Sequence, residues 1–166
     1  YSTFEASRLP SAWTDIANKY DVCWTTSAWN KQVMIESGVK TPIHVISPVA
    51  TGTVLDKLPP KGGKFRFLAS FQWGERKNVV GLVRAFCAAF DGNKDVQLII
   101  KSHVMADDTQ SQTTIEGGIK QILSSIRLTA KPDIKLLCSI QSAAEMSKLT
   151  AACHAGISLS HGEGWG

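Results

Sequence analysis

The sequence has 166 residues, 43% of them hydrophobic and 19% charged, with a net charge of +4. That is the composition of one ordinary folded domain, or parts of two, and it excludes a disordered or low-complexity chain. The charge is spread without basic runs, which removes the case for nucleic acid, and no run of about 18 apolar residues is present to span a membrane. A mild cationic excess still favours anionic ligands. The four cysteines, Cys23, Cys87, Cys138 and Cys153, are widely spaced in apolar runs and form no C-x-x-C. They read as reduced core thiols in a cytosolic setting.

The first predicted element is a short helix over PSAWTDIANKY, residues 10–20. DVCWTTS follows as a buried-type strand. Ser27 is placed to cap the helix AWNKQVMIES, which Gly38 stops. PIHVISP is another short strand. VATGTVLDKLPPKGG, residues 49–63, is rich in Pro, Gly and Lys and reads as a linker. Beyond it the pattern is regular. KFRFLASF, VQLIIKS, IKLLCSI and HAGISLS read as strands. RKNVVGLVRAFCAAF, TTIEGGIKQILSSIRLT and AAEMSKLTAAC read as the helices between them. Strands alternating with helices of this length predict an α/β fold, with a parallel, Rossmann-like sheet covered on both faces.

Ligands of such sheets bind beyond the carboxyl ends of the strands. Two of the loops found there carry unusual chemistry. In Gly74-Glu75-Arg76-Lys77-Asn78, two cations fall in what the pattern makes the first turn of a helix. Each opposes the helix dipole there, by about 0.3–1 kcal/mol. An anion such as phosphate, held by the cations and the outward N–H groups, would explain the placement. A solvated charged loop is the competing reading. In SHGEGWG, residues 160–166, Glu163 lies between Gly162 and Gly164, where glycines permit close approach to a ligand. A helix-start glutamate complementing a dipole is the alternative there.

Four stretches, in order and suitably spaced, carry a family resemblance: TSAWNKQVMIESGVKTPIHVISPVATG, FRFLASFQWGERKNVVGLVRAF, VQLIIKS and ACHAGISLSHGEGWG. The chain resembles the retaining glycosyltransferases of family 4, which have the GT-B fold of two Rossmann-like domains facing across a cleft. The resemblance implies that residues 1–48 end an acceptor domain, that 49–63 cross between domains, and that 64–166 begin the nucleotide-sugar domain. Lys77 matches the family lysine on the donor diphosphate. The arginine often found five residues earlier is here Gln72, and Arg76 stands as its replacement. Glu163 matches the first glutamate of an E-x7-E motif, which contacts donor-sugar hydroxyls, with Gly164 and His161 beside it. The second glutamate would fall eight positions on, past Gly166, so both ends are expected to be fragment ends and the fragment alone to be inactive.

The implied activity is transfer of a sugar from a nucleotide-diphosphate sugar to a glycan, lipid or other hydroxyl acceptor, as in polysaccharide biosynthesis. The implied mechanism has same-face attack, with the leaving phosphate taking the acceptor proton. Arg76 and Lys77 would stabilise charge on that leaving group, and Glu163 would orient the sugar. Ser139 and Ile140, after the third strand of the donor part, are where the family meets the nucleotide base. The donor is a substrate, so no cofactor is expected. Peripheral membrane association through parts outside this sequence is compatible with the resemblance. Histidines 44, 103, 154 and 161 lack metal-ligand spacing, so no metal site is expected. A non-catalytic nucleotide- or phosphate-binding domain, or a nucleotide-sugar epimerase of the same fold, would share these features.

Other residues receive structural readings. Lys101 ends a strand at the binding edge, where a phosphate contact competes with a snorkelling side chain. Glu145 is expected to start and cap a helix. Trp24 and Trp29 are expected in core or interface, and Glu5 and Arg8 at the surface.

Overall fold

The structure is a computed structural model that describes residues 3–49, 62–104 and 108–163, without the side chains of 108 and 109. The predicted linker, 49–63, lies almost wholly outside the described residues. The chain divides into two compact units, Tyr1–Thr51 with Gly162–Gly166, and Gly52–His161.

The first unit contains helix α1 (Ser11–Ala17), strand β1 (Cys23–Thr25), helix α2 (Ala28–Glu36) and strand β2 (Ile43–Val45). β1 and β2 pair in parallel, with Trp24 opposite His44. Ser27 caps α2 as the sequence predicts: its extended backbone lets Oγ accept from Asn30 N at 3.1 Å. Gly38 ends the helix at φ +96°, a conformation that favours glycine. Asn30 is 1% exposed, and its Oδ1 accepts from Phe4 N at 2.8 Å, which ties the N-terminal segment to α2. Met34, Val39 and Ile43 form a small core. Trp24 and Trp29 are 48% and 50% exposed, so neither lies in the core of this unit. The described residues of this unit supply two strands and two helices, too little structure to cover them.

The second unit is a four-stranded parallel sheet in the order β5-β4-β3-β6. Its strands are β3 (Phe65–Gln72), β4 (Val96–His103), β5 (Ile134–Leu137) and β6 (Ala155–Gly156). The crossovers are α3 (Val79–Phe90), α4 (Asp108–Ser124) and α5 (Ala143–Ala151). β3 and β4 pair along their full length, from Phe65 opposite Val96 to Gln72 opposite His103. Alternation sends Leu98 and Ile100 of β4 to one face, where they join Leu82, Val83 and Phe86 of α3 and Ile115 and Ile119 of α4. Leu98 and Ile100 are fully buried, and each stabilises the fold by about 1.5–3 kcal/mol. Ile99 faces the other way and packs with Leu68, Cys153 and, on α5, Leu149. Helices therefore cover both faces, as the apolar strands require.

Three boundaries differ from the sequence reading. The helix expected over 113–129 begins at Asp108 and stops at Ser124. The Asp91 carboxylate accepts from Thr129 N at 2.7 Å and Ala130 N at 3.2 Å, which holds that segment outside the helix. The last strand covers only Ala155–Gly156, with Ile157 N adding a bond to Leu68 O at 2.9 Å. The chain then leaves the sheet. The helix expected to start at Arg76 starts at Val79, with consequences for the site.

Candidate functional site

β3 is followed by crossovers that move outward on one side to β4 and β5, and the chain then returns to pair β6 on β3's other edge. The order reverses between β3 and β6, and a crevice opens beyond the carboxyl ends of strands at such a point. The loops leaving β3 and β6 meet there. His161 N donates to Arg76 O at 2.9 Å. On the other side, Trp73 N donates to His103 O at 2.9 Å, so the loop after β3 is also pinned to the end of β4.

Arg76 and Lys77 occupy a 3-10 turn, Glu75–Lys77, and not the first turn of α3. Asn78 separates the two. It adopts φ 50°, ψ 48°, the left-handed region that asparagine enters more readily than most residues. Its Oδ1 accepts from Gly81 N at 3.1 Å, so Asn78 is the N-cap of α3. The expectation of cations inside the helix start is thus corrected: the left-handed residue ends the turn before the helix begins. Arg76 is exposed and Lys77 half-buried, both just ahead of the cap. Gly81 fits beneath the cap because a Cβ would lie 2.6 Å from Asn78 Oδ1. This cap was not foreseen, although Asn followed by an apolar helical stretch was its signal.

A hollow of about 390 Å³ lies beside the loop, lined by Trp73, Glu75, Asn78, Val79, Val80 and His161 among others. The Trp73 indole is seated on α4 at Gly118, where a Cβ would come 2.6 Å from Cζ2. The glycine was passed over in the sequence; its value lies in the ring above it. Another hollow, of about 370 Å³, lies within the first unit, lined by Trp13, Ile16, Tyr20, Trp24 and other uncharged residues. It has no charged lining residue, whereas the hollow at the loop after β3 is lined by Glu75 and His161 but by neither Arg76 nor Lys77.

Glu163 is exposed and stands two residues beyond His161. Gly164 lies outside the described residues. Gly162 lies beside Glu5, where an added Cβ would be 3.4 Å from Oε2. Ser139 and Ile140 occupy the exposed loop after β5: Ser139 Oγ accepts from Gln141 Nε2 at 2.8 Å, and Ile140 is 71% exposed. Glu145 completes a capping box with Ser142 at the start of α5, as expected, and those hydrogen bonds lower its pKa.

Lys101 lies in the central strand β4, between β3 and β5, and is 8% exposed. His154 is structural: its Nδ1 accepts from Arg66 N at 3.0 Å and its ring stacks on Phe65 at 4.8 Å. Burial raises the pKa of Cys87, Cys138 and Cys153, which keeps these thiols protonated. Among the described residues no group of His, Cys, Asp and Glu is placed to hold a metal, and no helix is long and apolar enough to cross a membrane.

Solved structures share this arrangement. TarM of S. aureus, as a G117R mutant with fondaparinux, alpha-GlcNAc-glycerol and UDP, aligns over 92% of this chain at TM-score 0.67 and 14% identity. The E. coli trehalose-6-phosphate protein bound with UDP-2-fluoro glucose aligns over 92% at TM-score 0.64 and 10% identity. The trehalose 6-phosphate synthase of Burkholderia multivorans aligns over 90% at TM-score 0.58 and 15% identity. The fold is the Rossmann-like fold of GT-B glycosyltransferases. The chain spans 28%, 43% and 41% of the length of these three structures. No family model and no curated protein matches the sequence.

Proposed function

We propose that this chain is the central part of a retaining glycosyltransferase of family 4, and that it binds a nucleotide-diphosphate sugar at the crevice between β3 and β6. The observation that carries the reading is the bond from His161 N to Arg76 O. It joins the cationic loop to the segment leading into Glu163, at the point where the strand order reverses. In the neighbouring structures the bound molecules include UDP and UDP-2-fluoro glucose, which supports a donor of this class.

In this reading Arg76 and Lys77 hold the donor diphosphate. Negative charge grows on that group as the glycosidic bond breaks, so cations fixed beside it favour the transition state over the ground state. Glu163, with His161 and Gly164 beside it, accepts hydrogen bonds from sugar hydroxyls. Ser139 and Ile140 border the base. The acceptor is a hydroxyl of a glycan, lipid or similar molecule, which attacks on the face the diphosphate leaves, and the diphosphate takes the proton. Residues 1–48 contribute the end of the acceptor domain, and 49–63 the crossover.

The test is Glu163→Gln in the full-length protein, assayed with UDP-, GDP- and ADP-sugars and mixed hydroxyl acceptors. The variant keeps the side-chain shape, so the bare nucleoside diphosphate should bind as before while transfer falls. Loss of nucleoside diphosphate binding would remove Glu163 from the sugar site. Absence of transfer from every donor by the unaltered full-length protein would overturn the reading.

A further inference from the structure

The hollow of about 390 Å³ at the loop after β3 is built wholly from the second unit, and its lining mixes three kinds of surface. Trp73, Val80 and Ile122 are apolar, Glu75 brings a carboxylate and His161 an imidazole. Glu75 and His161 are exposed, and Trp73 is half-buried. The indole is seated against Gly118 of α4, so packing holds the aromatic surface in place. The size falls in the range of small-molecule sites, about 300–1,000 Å³.

The hollow adjoins the proposed donor residues without containing them. Arg76 and Lys77, proposed for the diphosphate, do not line it, and neither do Ser139 and Ile140, proposed for the base. His161 does line it, and its backbone N–H donates to Arg76 O at 2.9 Å. A second reactant has to lie in such a place, because a group passes only between molecules held in contact.

Charge decides what that reactant is. The start of α3 lines the hollow at Asn78, Val79 and Val80. It brings the positive pole of a helix of 12 residues, which disfavours a cation. Glu75 brings a negative charge, which disfavours an anion. A purely apolar chain would strip water from the Glu75 carboxylate and return no hydrogen bond, which is costly. An uncharged sugar meets every one of these surfaces. Its hydroxyls donate to the carboxylate and bond the imidazole, while its C–H faces lie on the indole and Val80.

We infer that this hollow holds the acceptor, and that the acceptor is an uncharged sugar, with Glu75 bonded to its hydroxyls and Trp73 as the platform under its ring. The inference rests on the proposed donor site. It narrows the acceptor from any hydroxyl compound to a carbohydrate, and it gives roles to two residues outside the donor set.

The experiment is steady-state transfer by the full-length protein from its preferred nucleotide sugar. The acceptors offered are uncharged mono- and oligosaccharides, uronic acids and lipid alcohols. Calorimetry with UDP, GDP and ADP runs beside it. Uncharged sugars should be the acceptors used. Glu75→Ala should raise KM for the sugar acceptor by roughly 10- to 150-fold. Donor KM and nucleoside diphosphate affinity should not change. Glu75→Gln should recover part of the loss, and serves with the same directions if the alanine variant does not fold. Trp73→Phe keeps a smaller aromatic surface and should raise acceptor KM by a smaller factor. Unchanged acceptor KM in the Glu75 and Trp73 variants would overturn this inference and leave the donor site standing. A raised donor KM with unchanged acceptor KM would assign the hollow to the donor and overturn it too. Transfer to uronic acids or lipid alcohols in place of uncharged sugars would do the same. If the unaltered protein transfers from no donor, the donor reading fails and takes this inference with it.

Discussion

His161 and Arg76, 85 positions apart in the chain, share one backbone hydrogen bond of 2.9 Å. It depends on no side chain, so it fixes the relation of two loops whatever residues fill them. One loop brings cations and the other leads to Glu163. The sheet order places both at the edge where the strands reverse direction of progress.

The first prediction concerns Lys77. If it holds a desolvated phosphate, Lys77→Ala removes a charge-assisted hydrogen bond worth about 1.5–3 kcal/mol. A loss of roughly 10- to 150-fold in kcat/KM for the donor follows. Kinetics with the preferred nucleotide sugar check this. Unchanged donor affinity and rate would place the phosphate elsewhere.

Asn78 has two roles that substitutions separate. It caps α3 through Oδ1 and occupies a left-handed conformation at φ 50°. Asn78→Gly loses the cap but accepts the backbone, and should cost only a few tenths of a kcal/mol. Asn78→Ala loses the cap and strains the backbone, so it should cost about 1–2 kcal/mol or more. Urea denaturation of the two variants reads the difference. Equal stabilities would show that the left-handed residue is not under strain.

The regular part of the fold was legible because its signal is periodic. Continuous apolar strands such as VQLIIKS have to be buried on both faces, and only crossover helices achieve that in a parallel sheet. The site was legible in part. Arg76, Lys77 and His161 stood out as charged or polar residues at strand ends, and the structure brings their loops together. What escaped was conformational or collective. A single left-handed residue, Asn78, moves the helix start past the cations, and no apolar period encodes it. Lys101 is buried by neighbours on both sides of its strand, which the local sequence does not reveal.

The contact of Trp73 with Gly118 gives a prediction about packing. A Cβ on residue 118 would lie 2.6 Å from the indole Cζ2 and 3.1 Å from Cη2. The ring, half-buried between α4 and the cationic loop, must move. Gly118→Ala has opposing effects. It gains helix propensity of about 1 kcal/mol and loses about 1–3 kcal/mol to overpacking. The net should be destabilising or near neutral. The spectroscopic outcome is firmer: the near-ultraviolet circular dichroism of the indole should change as the ring shifts. The same variant in a Trp73→Phe background should show much less of that change. An unchanged spectrum in the Trp73 protein would mean that the ring does not rest on Gly118.

The last prediction is for acid. The Asp133 carboxylate accepts from Lys64 Nζ and from Gln97 Nε2, the latter at 3.0 Å, and joins residues just before β3 and β5 to β4. The Lys64 hydrogen bond is the main cause of its lowered pKa; burial opposes it, and the Gln97 bond and the Lys64 charge add to it. Asp91 is lowered as well, chiefly by the backbone bond from Thr129. A carboxylate whose folded pKa lies below its unfolded value of about 3.9 binds fewer protons folded than unfolded. Its contribution is therefore complete above that unfolded value and is lost as pH falls through the folded value. The Lys64 and Asp133 side chains are 45% and 30% exposed, so solvent screens the pair, and about 0.2–1 kcal/mol is the expected size. Asp133→Asn should thus lower stability by about that amount at pH 7, and the gap to the unaltered protein should close below about pH 3. Denaturation midpoints from pH 7 to pH 2 measure it. A gap that persists unchanged at the acid end would mean that Asp133 acts through shape and neutral hydrogen bonding, not through its charge.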